Sequence, residues 1–212
     1  MSKRIYLSPS SQPANTYAVG NTNEQEQCRL IAAALQKVLE RCGFVCQAGL
    51  NGTMYTRVAD SNAMDAQLHL PIHTNAFDGK VAGLRIMVNC LGGEAEMVAK
   101  AIMEYLAPLT PGTSDGIHVM PQLYEIKATT AICVYVEVGF HDNQEEAQWI
   151  IDHTQEIAHA IAKGLCQHYG IAYVAEEQKV YRVQLGAFHN RQYAQTLLEE
   201  LKEKGYDGFI VS

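Results

Sequence analysis

The sequence predicts an α/β fold: a mostly parallel twisted sheet with helices on both faces, plus a small C-terminal βαβ half-module. Three observations carry this expectation. Short apolar strands alternate with amphipathic helical patterns from Arg4 to Tyr173, the order that crossover units produce. Two runs, Leu68 to Ala76 and Ile132 to His141, are apolar along most of their length, as strands covered on both faces must be. Both run out in side chains able to bind a metal or move protons, and the carboxyl ends of strands are where open sheets place their sites.

Each element follows from local pattern. Arg4 to Leu7 is a short strand, and Ser8 to Asn15 a polar loop. From Glu24, apolar residues fall at Cys28, Ile31, Ala32, Leu35, Val38, Leu39 and Cys42, the helical spacing, and Gly43 stops the helix. Phe44 to Cys46 is a strand, and Val58 to Ala66 a short helix before the strand that ends at His73. A strand over Leu84 to Val88 precedes a helix with Met97, Val98, Ala101, Ile102, Tyr105 and Leu106 on one face, and then a loop rich in Pro and Gly from Pro108 to Gly116. The strand bearing Glu137 feeds one long helix carrying Trp149, Ile150, Ile157, Ala158, Ile161 and Leu165. The main domain is thus expected over residues 1–174, with a polar linker over 175–179. In the tail, 180–212, a strand over Val180 to Leu185, a helix over Arg191 to Lys204 and a strand over Phe209 to Val211 bury too little surface to fold alone.

Composition narrows the function. The 212 residues are 48% hydrophobic and 18% charged, with a net charge of −7, so nothing attracts nucleic acid or an anionic membrane surface. No stretch approaches a membrane span, and the first residues lack the apolar core of a signal peptide. The expectation is a protein made in the cytoplasm that reaches any extracellular target only after release. The six scattered cysteines read as free thiols.

The chemistry lies in four side chains. Glu24 opens the first long helix on its inward stripe, where a carboxylate also suits a helix N-terminus. Glu137 stands among Val134, Val136 and Val138, so it needs a partner, a metal or a reason to hold a proton. With His73 and His141 at the ends of the two apolar strands, these groups suit a zinc hydrolase, in which three ligands hold the metal and a carboxylate shuttles the proton. His69, which alternates with Leu68 and Leu70, is set aside as structural because it lies before its strand's end.

These residues also carry a resemblance. Ile72-His73-Thr74-Asn75-Ala76 resembles the Ser-Ile-His-x-Asn-Ala motif of the zinc-dependent N-acetylmuramoyl-L-alanine amidases of type 3, and Val136-Glu137-Val138-Gly139-Phe140 their Val-Glu-Thr-Gly-Phe motif. Arg57 to Asn62 is similar to their Arg-x-x-x-x-Asn stretch, and Glu24 matches the glutamate that is their second zinc ligand. The resemblance spans Ile5 to Tyr173. It implies a peptidoglycan hydrolase that cleaves the amide between N-acetylmuramic acid and L-alanine. In such an enzyme Glu24 and His73 would bind zinc and Glu137 would be the general base, while Arg57, Asn75 and Glu125 would lie along the substrate. It also implies a role in wall lysis, by a phage endolysin or a sporulation autolysin.

One departure is serious. The family's first strand ends in Asp-Pro-Gly-His, whose histidine is the first zinc ligand, whereas Ser8-Pro9-Ser10-Ser11 puts a serine there. Serine is a poor zinc ligand at neutral pH. His141 is the replacement that the sequence offers; Gln12 and Asn15 are weaker ones, since neutral amide oxygens are uncommon zinc donors. Two alternatives stay open: a metal-free, inactive relative that only binds wall, and an α/β enzyme acting on another amide or ester. Val180 to Val211 resembles the first half of a sporulation-related (SPOR) repeat, which implies binding to glycan stripped of stem peptides and a homodimer in which two tails complete one module.

Overall fold

The structure is a computed structural model that describes residues 2–113, 115–175 and 184–211. The chain divides into two compact units, residues 1–176 and 177–212.

In the first unit, the strands are β1 (Arg4–Pro9), β2 (Val45–Ala48), β3 (Leu68–Asn75), β4 (Arg85–Val88), β5 (Gly116–Val119), β6 (Ile132–Cys133) and β7 (Tyr135–Phe140). They form one sheet in the order β2-β1-β3-β7-β4-β5, with β6 also paired to β3. All pairings are parallel except β4 with β7. The expected mostly parallel sheet is therefore present, and the interior of β3 and β7 is buried on both faces because helices cover it.

The helices are α1 (Glu24–Arg41), α2 (Met54–Ala63), α3 (Glu94–Leu106), α4 (Tyr124–Ala128), α5 (Gln144–Asp152) and α6 (Thr154–Tyr169). In α1, Cys28, Ile31, Ala32, Leu35, Val38 and Leu39 are buried, which is the predicted stripe, and the Asn23 side chain caps the N-terminus by accepting from the Glu26 amide. Helix α6 packs between α1 and α3. Its Gly164 allows the approach, because a Cβ there would lie 2.5 Å from the Ala101 carbonyl oxygen of α3.

Several boundaries differ from the sequence expectation. Helix α2 begins at Met54, four residues early, because Thr53 supplies a capping box with Thr56. The single long helix after β7 is two, broken at His153, whose φ of −117° and ψ of 27° leave the helical region and whose Nδ1 lies 2.9 Å from the Trp149 carbonyl. The Ile132 strand is likewise interrupted at Val134, and β5 and α4 occupy a stretch for which the pattern gave no element. Among the described residues no helix is long and apolar enough to cross a membrane.

In the second unit, α7 (Arg191–Glu203) matches the predicted helix and is capped by Asn190, which accepts from the Gln192 amide. Most of the predicted Val180 to Leu185 strand, residues 180–183, lies outside the described residues, and the linker is described only to residue 175. The strand expected over Phe209 to Val211 is not formed: these residues belong to no regular element. Leu185, Tyr193, Tyr206, Phe209 and Val211 are exposed.

One buried carboxylate ties the end of β7 to the loop before β4. Glu146 of α5 is fully buried and accepts from the Gly83 amide at 2.8 Å and the Phe140 amide at 2.7 Å. Gly139 leaves it room, since a Cβ there would lie 3.1 Å from Glu146 Oε2. Glu146→Ala orphans two buried amides, each worth about 1–3 kcal/mol. Urea unfolding should therefore show a loss of about 2 kcal/mol or more; a loss under about 0.5 kcal/mol would remove the tie from the account.

Candidate active site

The site forms at the carboxyl ends of β1, β3 and β7 and at the N-terminus of α1. Parallel pairing sets His73 of β3 opposite Glu137 of β7. Glu24, in the first turn of α1, reaches across so that its Oε1 lies 2.8 Å from His73 Nδ1, and its Oε2 accepts from Asn15 Nδ2 at 2.6 Å. All three side chains are buried. Tyr135 stacks on the His73 ring with centroids 4.5 Å apart.

Behind His73 lies a second group of buried polar side chains. Glu125 of α4 is held by Ser8 Oγ and lies 3.3 Å from His69 Nε2 and 3.8 Å from His73 Nε2. Arg57 donates from Nε to Ser8 Oγ at 2.9 Å, from Nη1 to the Gly52 carbonyl at 3.0 Å and from Nη2 to Ser11 Oγ at 3.3 Å. Arg57, His73, Glu125 and Tyr135, with Tyr55 and Tyr124, line a cavity of about 370 Å³ open to solvent.

Burial and neighbouring charge set the protonation states. Burial pushes the Glu137 carboxyl up to about 7, against the lowering effect of His73. Burial alone would lower His73, but the Glu125 and Glu24 carboxylates outweigh it and hold the imidazole up to about 9. Burial likewise works against ionised Glu125, yet His69, His73 and Ser8 hold it down to about 2. Glu137 Oε2 and His73 Nε2 are buried without a hydrogen-bond partner among the described residues.

The sequence candidates thus part company. Glu24, His73 and Glu137 converge. His141 does not join them: its Nδ1 lies 3.0 Å from both the hydroxyl and the carbonyl oxygen of Thr74, and its ring stacks on Tyr17. Among the described residues no three His, Cys, Asp or Glu side chains are placed to hold a metal, so Glu24, His73 and His141 are not such a set. The cause is a bulge. His73 pairs with Glu137 but Asn75 with Phe140, so β7 carries one extra residue, which turns everything after it to the other face. Asn75 accepts from the Ala76 amide through its own side chain. Arg57 and Glu125 do line the cavity, though each is held by protein partners. Sequence reasoning missed the part played by His69; the signal was its spacing of four from His73, which puts both on one face of β3.

A family model for N-acetylmuramoyl-L-alanine amidase (type 3) matches residues 7–167, three quarters of the chain. The chain belongs to that family. A SPOR domain model matches residues 134–212, overlapping the last part of the amidase match. The amidase CwlM of Bacillus licheniformis is 23% identical over 98% of this chain and 84% of its own length. An uncharacterized 38.4 kDa protein of Clostridium perfringens is 28% identical over 56% of this chain, and the match spans only about a third of that relative. Among solved structures, the catalytic domain of the amidase CwlV of Bacillus (Paenibacillus) polymyxa var. colistinus superposes with a TM-score of 0.69 at 16% identity, over 80% of this chain and 99% of that one. The amidase AmiC2 of Nostoc punctiforme gives 0.68 at 18%, over 79% and 97%. This amidase thus has the α/β architecture of those catalytic domains.

The donor chemistry of Glu24 and His73, a carboxylate oxygen and a ring nitrogen directed at one another, fits zinc. Ser11, at the place of the family's first-strand histidine, is held by Arg57. The Glu125 group can be tested apart from catalysis. Glu125→Ala leaves Arg57 and His69 buried without their carboxylate, a change that costs about 3–5 kcal/mol for a broken buried pair. Thermal and urea unfolding should register it, whereas an unchanged midpoint would show that Glu125 does not hold this layer together.

Proposed function

We propose that this chain hydrolyses the amide between N-acetylmuramic acid and the L-alanine of peptidoglycan stem peptides, using zinc held by Glu24 and His73, with Glu137 as general base. The observation that carries the reading is Glu137: a buried carboxylate with an unpartnered oxygen, opposite His73 in register and raised toward neutrality. A general base works best when its proton affinity lies near the working pH.

Zinc, when bound, would lower the pKa of water and polarise the amide carbonyl. Glu137 takes a proton from the attacking water as its oxygen adds to the carbonyl carbon, and returns a proton to the departing alanine nitrogen as the C–N bond breaks. The products are a muramyl carboxylate and a stem peptide with a free amino terminus. Tyr135, stacked on His73, shields the ring's face and fixes its plane. Tyr55 and Tyr124, edge to face at 4.7 Å in the cavity wall, offer a surface for the substrate beside Arg57.

Glu137→Gln preserves size and removes the base. It should lower release of stem peptides from purified walls by about 10²–10⁴-fold, with the fold intact by circular dichroism. New amino termini must appear in place of new reducing sugar ends. Wild-type protein that releases nothing with zinc supplied, yet sediments with walls, would instead support the metal-free binding reading, which the serine at the first-strand position favours.

The tail supports a further part of the reading. With a SPOR match over residues 134–212 and several exposed aromatic side chains within 184–211, the second unit is proposed to bind denuded glycan and to bring two copies together at the wall. A role in phage or sporulation lysis, after release from the cell that makes the protein, belongs to the same proposal. Removing residues 176–212 should weaken co-sedimentation with amidase-treated walls about tenfold or more while leaving cleavage of small muramyl peptides unchanged, and should lower the apparent mass in gel filtration; equal binding by both forms would end the role assigned to the tail.

A further inference from the structure

His73 Nδ1 faces two groups at once: Glu24 Oε1 at 2.8 Å and the side-chain amide nitrogen of Gln12 at 3.4 Å. A ring nitrogen has one outward position, either a proton or a lone pair. It cannot donate to the carboxylate and accept from the amide at the same time. The two ends of a glutamine amide are told apart only by their hydrogen bonds, so a half-turn about the last side-chain bond is the natural remedy. That turn puts the Gln12 carbonyl oxygen where the nitrogen stands. Three electron-pair donors then converge: a carboxylate oxygen, a ring nitrogen and an amide oxygen.

Two further observations agree. With a lone pair on Nδ1, the His73 proton sits on Nε2, which has no hydrogen-bond partner among the described residues and faces Glu125 Oε2 at 3.8 Å. A metal-binding histidine commonly turns its second nitrogen toward a carboxylate in this way. Glu24 is steadied on its other oxygen by Asn15, which lies with Gln12 in the loop after β1. Two other donors that the sequence offered are engaged: Ser11 Oγ accepts from Arg57, and His141 is held on Thr74.

We propose that Gln12, through its amide oxygen, is the third protein ligand of a divalent-cation site completed by Glu24 and His73 Nδ1. This rests on the zinc reading above and deepens it. Gln12 is exposed at the cavity edge, so the loop can close its amide onto the cation without disturbing the core. Exchange of an imidazole for an amide oxygen makes the donor set harder, which weakens zinc binding and narrows its preference over manganese.

The test uses the full chain, stripped by chelator and titrated with Co²⁺ while the visible absorption band is followed, with zinc content measured in parallel. Wild-type protein should take up one ion per chain. Gln12→Ala should bind about tenfold more weakly or worse, the loss typical even of an orienting partner; Gln12→His should bind more tightly than wild type, and His141→Ala should match wild type. Wild-type binding that persists unchanged in Gln12→Ala overturns the assignment of Gln12 and leaves the zinc reading standing. A wild-type chain that binds neither ion overturns both.

Discussion

The site depends on one constraint, the register of β3 against β7. Parallel pairing fixes which residues stand side by side, and the two-residue period of a strand fixes which face they share. His73 beside Glu137 is the product. A slip of one residue between the two strands would separate them, setting Thr74 beside Glu137 or Val138 beside His73. The apolar residues of both strands make such a slip costly, because they are buried on both sides of the sheet and pack without polar alternatives. Helix α1 depends on the same register, since Glu24 reaches His73 only if the strand ends where it does.

Charge is the second constraint. The region around His73 buries three glutamates, two histidines and an arginine within a few side chains of one another. Such groups are tolerated only when each finds a partner. Ser8 is the small joint that makes this possible, accepting from Arg57 while donating to Glu125. The first strand itself brings only that serine to the group, and the carboxylate arrives from α4 as Glu125. The joint thus links residues 117 positions apart in the chain.

Much of this was legible in the sequence. The stripe of α1, the apolar β3 and β7, and the isolated carboxylate of Glu137 all follow from spacing, and the fold class from their alternation. Short elements were not legible: β5, α4 and β6 hold four, five and two residues, too few to show a period. The reversal of β4 was not visible either, because a strand's direction depends on its neighbour. The second layer of Glu125, His69 and Ser8 joins residues far apart in the chain, and nothing local marks them as partners. The expectation for His141 failed at a bulge, a feature of pairing between two strands that neither strand's own sequence declares.

That bulge lets a single strand serve two masters. Before it, β7 sets its carboxylate beside His73; after it, the same strand hands a histidine to Thr74 and Tyr17. Thr74 joins the two, since its hydroxyl and carbonyl oxygens face His141 while its amide donates to Glu24 Oε1 at 3.4 Å. A change in the aromatic stack around His141 is therefore felt in the seating of the loop before α1 and, through Thr74, at Glu24.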